Sequence, residues 1–129
     1  MPSAVVIEDS PIMRRRLQAI LLEAGYDTVG DGISGEELLA QYATLRPTVV
    51  IMDIVLPGRD GIALAPDLIQ RHPEALVIMC SSLSAREKVV ACQKVGVAYY
   101  LLKPFDPERL KSVVKFVVAT KGKLPRAAS

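Results

Sequence analysis

Five polar side chains stand directly after short apolar runs: Glu8 and Asp9 after A-V-V-I, Asp53 after T-V-V-I-M, Ser81 after L-V-I-M-C, and Lys103 after Y-Y-L-L. Three carboxylates brought to one edge repel one another, and their pKa values rise unless a cation joins them. Oxygen ligands in so small a number suit Mg²⁺, which keeps some of its waters and takes one or two carboxylates plus a phosphate. Asp53 is then placed to attack a phosphoryl group and form an aspartyl phosphate. Lys103, a compact charge, and the Ser81 hydroxyl would hold the transferred oxygens. Singly, each residue reads as a loop charge or a capping serine; all five at the ends of apolar runs point to phosphoryl transfer, which asks chiefly for spread charge.

Five apolar runs that would act as strands must do this positioning: Ala4 to Ile7, Tyr26 to Val29, Thr48 to Met52, Leu76 to Cys80 and Tyr99 to Leu102. Amphipathic stretches alternate with them. Ile12, Met13, Leu17, Ile20 and Leu21 fall on helical spacing, as do Leu38, Leu39 and Tyr42, and then Leu110, Val113, Val114 and Val117. Asp9 or Ser10 can cap the first helix with Pro11 at its opening and Gly25 at its stop, and Asp106 with Pro107 opens the last. Alternating β-α units predict an α/β fold, a doubly wound parallel sheet of five strands with five helices, and near-continuous apolar strands agree with burial on both faces. In such sheets ligands bind outside the carboxyl ends of the strands. That is where the five residues fall.

With 129 residues, one domain is expected, at 1–121, with a flexible tail over 122–129. Sixteen basic against fourteen acidic residues leave a net charge of +2, which excludes the dominant basic field of a nucleic-acid or anionic-lipid binder. No apolar run approaches the roughly 20 residues of a membrane span, and the first residues lack the basic region of a secretory signal, so a cytoplasmic location is expected. Cys80 and Cys92 lie in strand-like and helical stretches and read as reduced packing thiols.

The motifs E-D-S-P at Glu8 to Pro11, M-D-I-V-L-P-G-R-D-G at Met52 to Gly61, M-C-S-S at Met79 to Ser82 and L-L-K-P-F at Leu101 to Phe105 are together highly specific. The sequence resembles, from about Val5 to Val118, the receiver domains of two-component response regulators, of the single-domain chemotaxis (CheY-like) kind. The resemblance implies strand order 2-1-3-4-5, of which this family is itself a standing example. It implies that Asp53 is the phosphoacceptor, that Asp9 and Asp53 bind Mg²⁺ directly, that the Val55 backbone carbonyl adds a ligand, and that Glu8 acts through water. Ser81 and Lys103 would contact the phosphoryl group. Tyr100 matches the switch aromatic whose rotamer follows the Ser81 hydroxyl; read alone, it is a half-buried strand aromatic. The implied partners are a sensor histidine kinase or phosphotransfer protein and a downstream target that meets the fourth helix, fifth strand and fifth helix. The domain is expected to be a monomer or weak dimer, and not an enzyme beyond its own phosphorylation and dephosphorylation. Glutamate at position 8, serine at position 81, and Pro66 where the third helix should begin depart from the common pattern; Pro66 predicts a late or bent helix.

Other signals compete. G-D-G-I-S-G at Gly30 to Gly35 matches a dinucleotide fingerprint, but Asp31 would put a carboxylate beside the pyrophosphate, and Lys103 and Ser81 would have no use. A haloacid-dehalogenase-like phosphatase needs a second aspartate where Val55 stands, and an aliphatic side chain cannot move a proton. A receiver-fold scaffold independent of phosphate is opposed by intact Asp9, Asp53, Ser81 and Lys103. Arg14, Arg15 and Arg16 fan over about 200° of a helix and read as a solvated face. His72, before Pro73, has no expected acidic partner and reads as surface polarity.

Overall fold

The structure, a computed structural model, describes residues 2–58, 60–82 and 86–122. The strands are β1 (Ser3–Ile7), β2 (Asp27–Thr28), β3 (Val49–Met52), β4 (Val77–Ser81) and β5 (Tyr99–Leu102). They alternate with α1 (Pro11–Glu23), α2 (Gly35–Leu45), α3 (Gly61–Arg71), α4 (Arg86–Lys94) and α5 (Pro107–Thr120). The order across the sheet is β2-β1-β3-β4-β5, and every pairing is parallel, as expected. Ile7 pairs with Met52 and Ser81 with Leu102, so β1 and β3, and β4 and β5, end level with each other.

Strand side chains alternate between faces, and here both faces are apolar. Val6, Ile51, Ile78 and Leu101 face α1 and α5, packing with Leu17, Leu21, Leu110 and Val114. Val5, Val50, Val77 and Met79 face the other way, onto Leu38 of α2, Leu64 and Leu68 of α3, and Cys92 of α4. Cys80 and Cys92 are both free and buried. No helix among the described residues is long and apolar enough to cross a membrane.

Of the two candidate caps for α1, Ser10 acts: its hydroxyl accepts from the Met13 N–H. Ser34 and Glu37 form a capping box on α2, and Asp60 and Asp106 cap α3 and α5.

Four expectations are corrected. The edge strand β2 is two residues long rather than four. Strand β4 is shifted by one residue from the apolar run Leu76 to Cys80, and Ser81 is its last member, in the ladder opposite Leu102. Helix α3 begins at Gly61, five residues before Pro66, which sits inside it. The Asp60 cap and the fully buried Leu64, Ala65 and Leu68 hold the helix despite the backbone bond that proline removes. Gly122 is not frayed: its N–H donates to the Val117 carbonyl at 3.0 Å, closing α5, while the rest of the expected tail, 123–129, lies outside the described residues.

Candidate functional site

The level strand ends bring the polar residues together. The Asp53 N–H donates to the Ile7 carbonyl at 3.1 Å, and the Lys103 N–H donates to the Ser81 carbonyl at 2.8 Å. From there Lys103 reaches across the sheet edge. Its Nζ donates to Glu8 Oε1 at 2.8 Å and to Asp53 Oδ2 at 3.0 Å. The three side chains are 16%, 4% and 15% exposed, so the ion pairs are largely removed from water and their geometry is demanding. The peptide bond Lys103–Pro104 is cis.

Burial raises the pKa of Glu8; the Lys103 ammonium opposes that rise, and the Asp53 and Asp9 carboxyl groups add to it. Mutual repulsion was the expected cause, and desolvation proves the larger one. Burial alone would lower the pKa of Lys103, but its hydrogen bonds to Glu8 and Asp53 win and raise it. The two directions fit one arrangement: a single cation is shared between two anions with a third close by. The site is short of positive charge.

Asp9 is exposed at the mouth of the site. The Val55 N–H donates to Asp53 Oδ1 at 3.2 Å, which sets the Val55 backbone beside the carboxylate while its side chain is 61% exposed. Ser81 is buried, and Tyr100 on β5 is half-buried. Burial raises the pKa of the Tyr100 phenol, and a hydrogen bond with Ser81 works against the rise. The half-buried strand aromatic thus has the Ser81 hydroxyl as a neighbour. Leu83, two residues beyond Ser81, lies outside the described residues.

The donors suit Mg²⁺. Glu8, Asp9 and Asp53 offer hard oxygens, and among the described residues no group of three or more acidic, histidine or cysteine side chains is arranged to hold a metal ion. An ion that retains several waters needs none.

The sequence reading missed two participants. Gly61 packs its α-carbon against the backbone of Asp53 and Ile54, and its N–H donates to the Ile54 carbonyl at 2.7 Å. Its place at the end of the M-D-I-V-L-P-G-R-D-G motif was the available signal. Arg14 is half-buried and not part of a solvated face; Arg15 and Arg16 are exposed as expected. His72 does have an acidic neighbour, because the turn after α3 returns Glu74 to 3.9 Å from its Nδ1, and its ring stacks on Tyr42 at 4.4 Å. This cluster lies in the turn between α3 and β4, at the opposite end of β4 from Ser81. The G-D-G-I-S-G segment is the turn into α2, with Gly30 and Gly32 at φ of 65° and 78°.

Residues 4–115 match the response regulator receiver domain family. The chemotaxis protein CheY of Thermotoga maritima is 32% identical over 106 residues, which are 82% of this chain and 88% of that one. The transcriptional regulatory protein DegU of Brevibacillus brevis is 34% identical over 114 residues, 88% of this chain but 48% of the relative. The crystal structure of Vibrio cholerae chemotaxis protein CheY4 superposes with a TM-score of 0.82 at 26% identity, covering 91% of this chain and 98% of that one. Members of this family generally bind Mg²⁺ at the phosphorylation site and interact with histidine kinases and downstream targets. With its strand order, its acidic edge and its bridging lysine all of that kind, the chain belongs to the response regulator receiver domains of two-component systems.

Proposed function

We propose that Asp53 takes a phosphoryl group from a phosphohistidine and that the resulting aspartyl phosphate alters binding to a downstream protein. The observation that carries this reading is the Lys103 ammonium, shared at 2.8 and 3.0 Å between Glu8 and Asp53. One oxygen of the Asp53 carboxylate attacks phosphorus, the P–N bond to the donor histidine breaks, and the imidazole leaves with the electron pair of that bond. Lys103 then turns from the free carboxylate toward the transferred oxygens. The Ser81 hydroxyl donates to another of them, and because Tyr100 is hydrogen-bonded to Ser81, its environment changes with the transfer. Asp9, Asp53 and the Val55 carbonyl would hold Mg²⁺, with Glu8 acting through a water. The ion supplies positive charge to the phosphoryl oxygens.

The reading includes no turnover of an external substrate. A histidine kinase or phosphotransfer protein donates the phosphoryl group, and the target meets α4, β5 and α5, the face that carries Tyr100. The domain acts as a monomer or weak dimer. The two unpaired buried thiols favour a reducing compartment such as the cytoplasm.

Incubation with Mg²⁺ and a small acyl phosphate, followed by intact mass, is the test. One added phosphoryl group, absent from Asp53→Asn, is expected. No adduct on the wild type overturns the reading in favour of a phosphate-independent scaffold.

A further inference from the structure

Two sequence features have no task in phosphoryl transfer, the arginine run of α1 and the G-D-G turn before α2, and the structure joins them. Arg14 Nη1 donates to the backbone carbonyl of Glu8 at 3.1 Å. Its Nε lies 3.6 Å from Asp31 Oδ1, close enough to pair but too far to hydrogen-bond, and this buried nitrogen has no hydrogen-bond partner among the described residues. Asp31 in turn accepts from Gln18 Nε2 at 2.9 Å. Arg14 and Gln18 are one helical turn apart on α1, so a single exposed carboxylate is braced against both. Arg14 also lines, with Glu8, Asp9, Gly32 and Ser34, a cavity of about 290 Å³. The guanidinium thus spans from the turn to the peptide that carries the acidic pair.

We infer that Arg14, braced by Asp31 and Gln18, is a positioning residue that fixes the Glu8–Asp9 peptide and with it the direction in which Asp9 offers its carboxylate to Mg²⁺. The inference rests on the metal site proposed above. Glu8 is the first residue beyond β1, where the strand ladder no longer holds the chain. The Glu8 carbonyl lies past the ladder, and Arg14 donates to it. A planar fork can serve the carbonyl and the Asp31 side together, which a lysine's point charge cannot.

Charge and position predict opposite signs. An arginine acting only through its charge repels a dication, so its removal should tighten Mg²⁺ binding. A positioning arginine, when removed, should weaken it, by about 10–100-fold if it behaves as other outer partners of metal ligands do.

Calorimetric titration with Mg²⁺ alone, on wild type, Arg14→Gln, Arg14→Lys and Gln18→Ala, separates these cases. Thermal unfolding in chelator checks that each variant is folded. Weaker binding is expected in Arg14→Gln and in Arg14→Lys, with a smaller weakening in Gln18→Ala, which changes no charge and carries the test if an Arg14 variant does not fold. Unchanged or tighter binding in Arg14→Gln, wild-type affinity in Arg14→Lys, or unchanged affinity in Gln18→Ala overturns the inference. Absence of Mg²⁺ binding by the wild type overturns the underlying site, and the inference with it.

Discussion

Gly61 is pressed against Asp53: a Cβ at position 61 would stand 2.5 Å from the Asp53 backbone carbonyl oxygen, and 3.1 Å from the Ile54 Cα. No positive φ is involved, so space alone keeps this residue a glycine. The start of α3 is thereby set directly against the segment that carries the Asp53 carboxylate.

Gly61→Ala should therefore lower stability by about 1–3 kcal/mol through overpacking, and should also slow phosphorylation, because the displaced atoms belong to Asp53 itself. Gly58→Ala is the control. Nothing lies within 4 Å of a Cβ there, and the cost is that of a φ of 76°, about 1–2 kcal/mol. Urea unfolding and the rate of labelling by an acyl phosphate measure both. Gly58→Ala should lose stability with its rate unchanged; equal rates in the two variants would contradict the role assigned to Gly61.

Burial pushes the Cys80 thiol up to about 12, with the Lys103 ammonium opposing and the Asp53 and Glu8 carboxylates adding. A folded pKa above the ordinary 9.0 means that the neutral thiol favours the fold. Its contribution is complete below pH 9 and is lost as the pH climbs toward 12. Burial raises Cys92 as well. At pH 8 iodoacetamide should leave both thiols unmodified in native protein and alkylate both in concentrated urea. Native labelling at the rate of free cysteine would show that the sheet is open.

Asp53, Ser81 and Lys103 were legible because each follows an unbroken apolar run, and parallel strands in a doubly wound sheet deliver such positions to one edge. The strand order came from the family resemblance, since periodicity says which residues form strands and not which strands are neighbours. Gly61 and Arg14 were harder to see for different reasons. The constraint on Gly61 is an approach of backbone to backbone, which leaves no trace in a pattern of apolar and polar side chains. Arg14 meets Asp31 only after β2 is laid beside β1, and an arginine beside two others looks like solvated charge until that happens. Pro66 shows the reverse: a strong local signal was outweighed by Leu64, Ala65 and Leu68, whose burial keeps the helix intact around it.

Ser81→Ala should leave Mg²⁺ binding intact and slow phosphorylation. Ser81 is buried at the end of β4, and its hydroxyl is the donor proposed for one phosphoryl oxygen. Losing one such hydrogen bond is worth about 1–3 kcal/mol, or roughly ten to a hundredfold in rate. The same variant removes the partner of Tyr100, so the Tyr100 ring resonances should stop responding to phosphorylation. A normal ring response in Ser81→Ala would mean that another group carries the signal to β5.

The aspartyl phosphate should be long-lived for a receiver, and Val55 is the reason. Its N–H is tied to Asp53 Oδ1 at 3.2 Å, and its side chain, two residues beyond Asp53, is 61% exposed; in the function proposed above, the attacking water approaches beside it. An isopropyl group offers that water neither donor nor acceptor, so the water arrives unaligned. An asparagine there has both, and one hydrogen bond gained in the transition state is worth about 1–3 kcal/mol, hence roughly ten to a hundredfold in rate. The substitution leaves the Val55 N–H and carbonyl in place, so Mg²⁺ affinity and loading of Asp53 should be unchanged, and the effect should fall on hydrolysis alone. Loading Asp53, removing the donor and following the loss of 80 Da by intact mass, a difference of about one phosphoryl group, compares wild type with Val55→Asn. Faster decay in the variant is required; equal or slower decay would mean that the water is aligned by a different group.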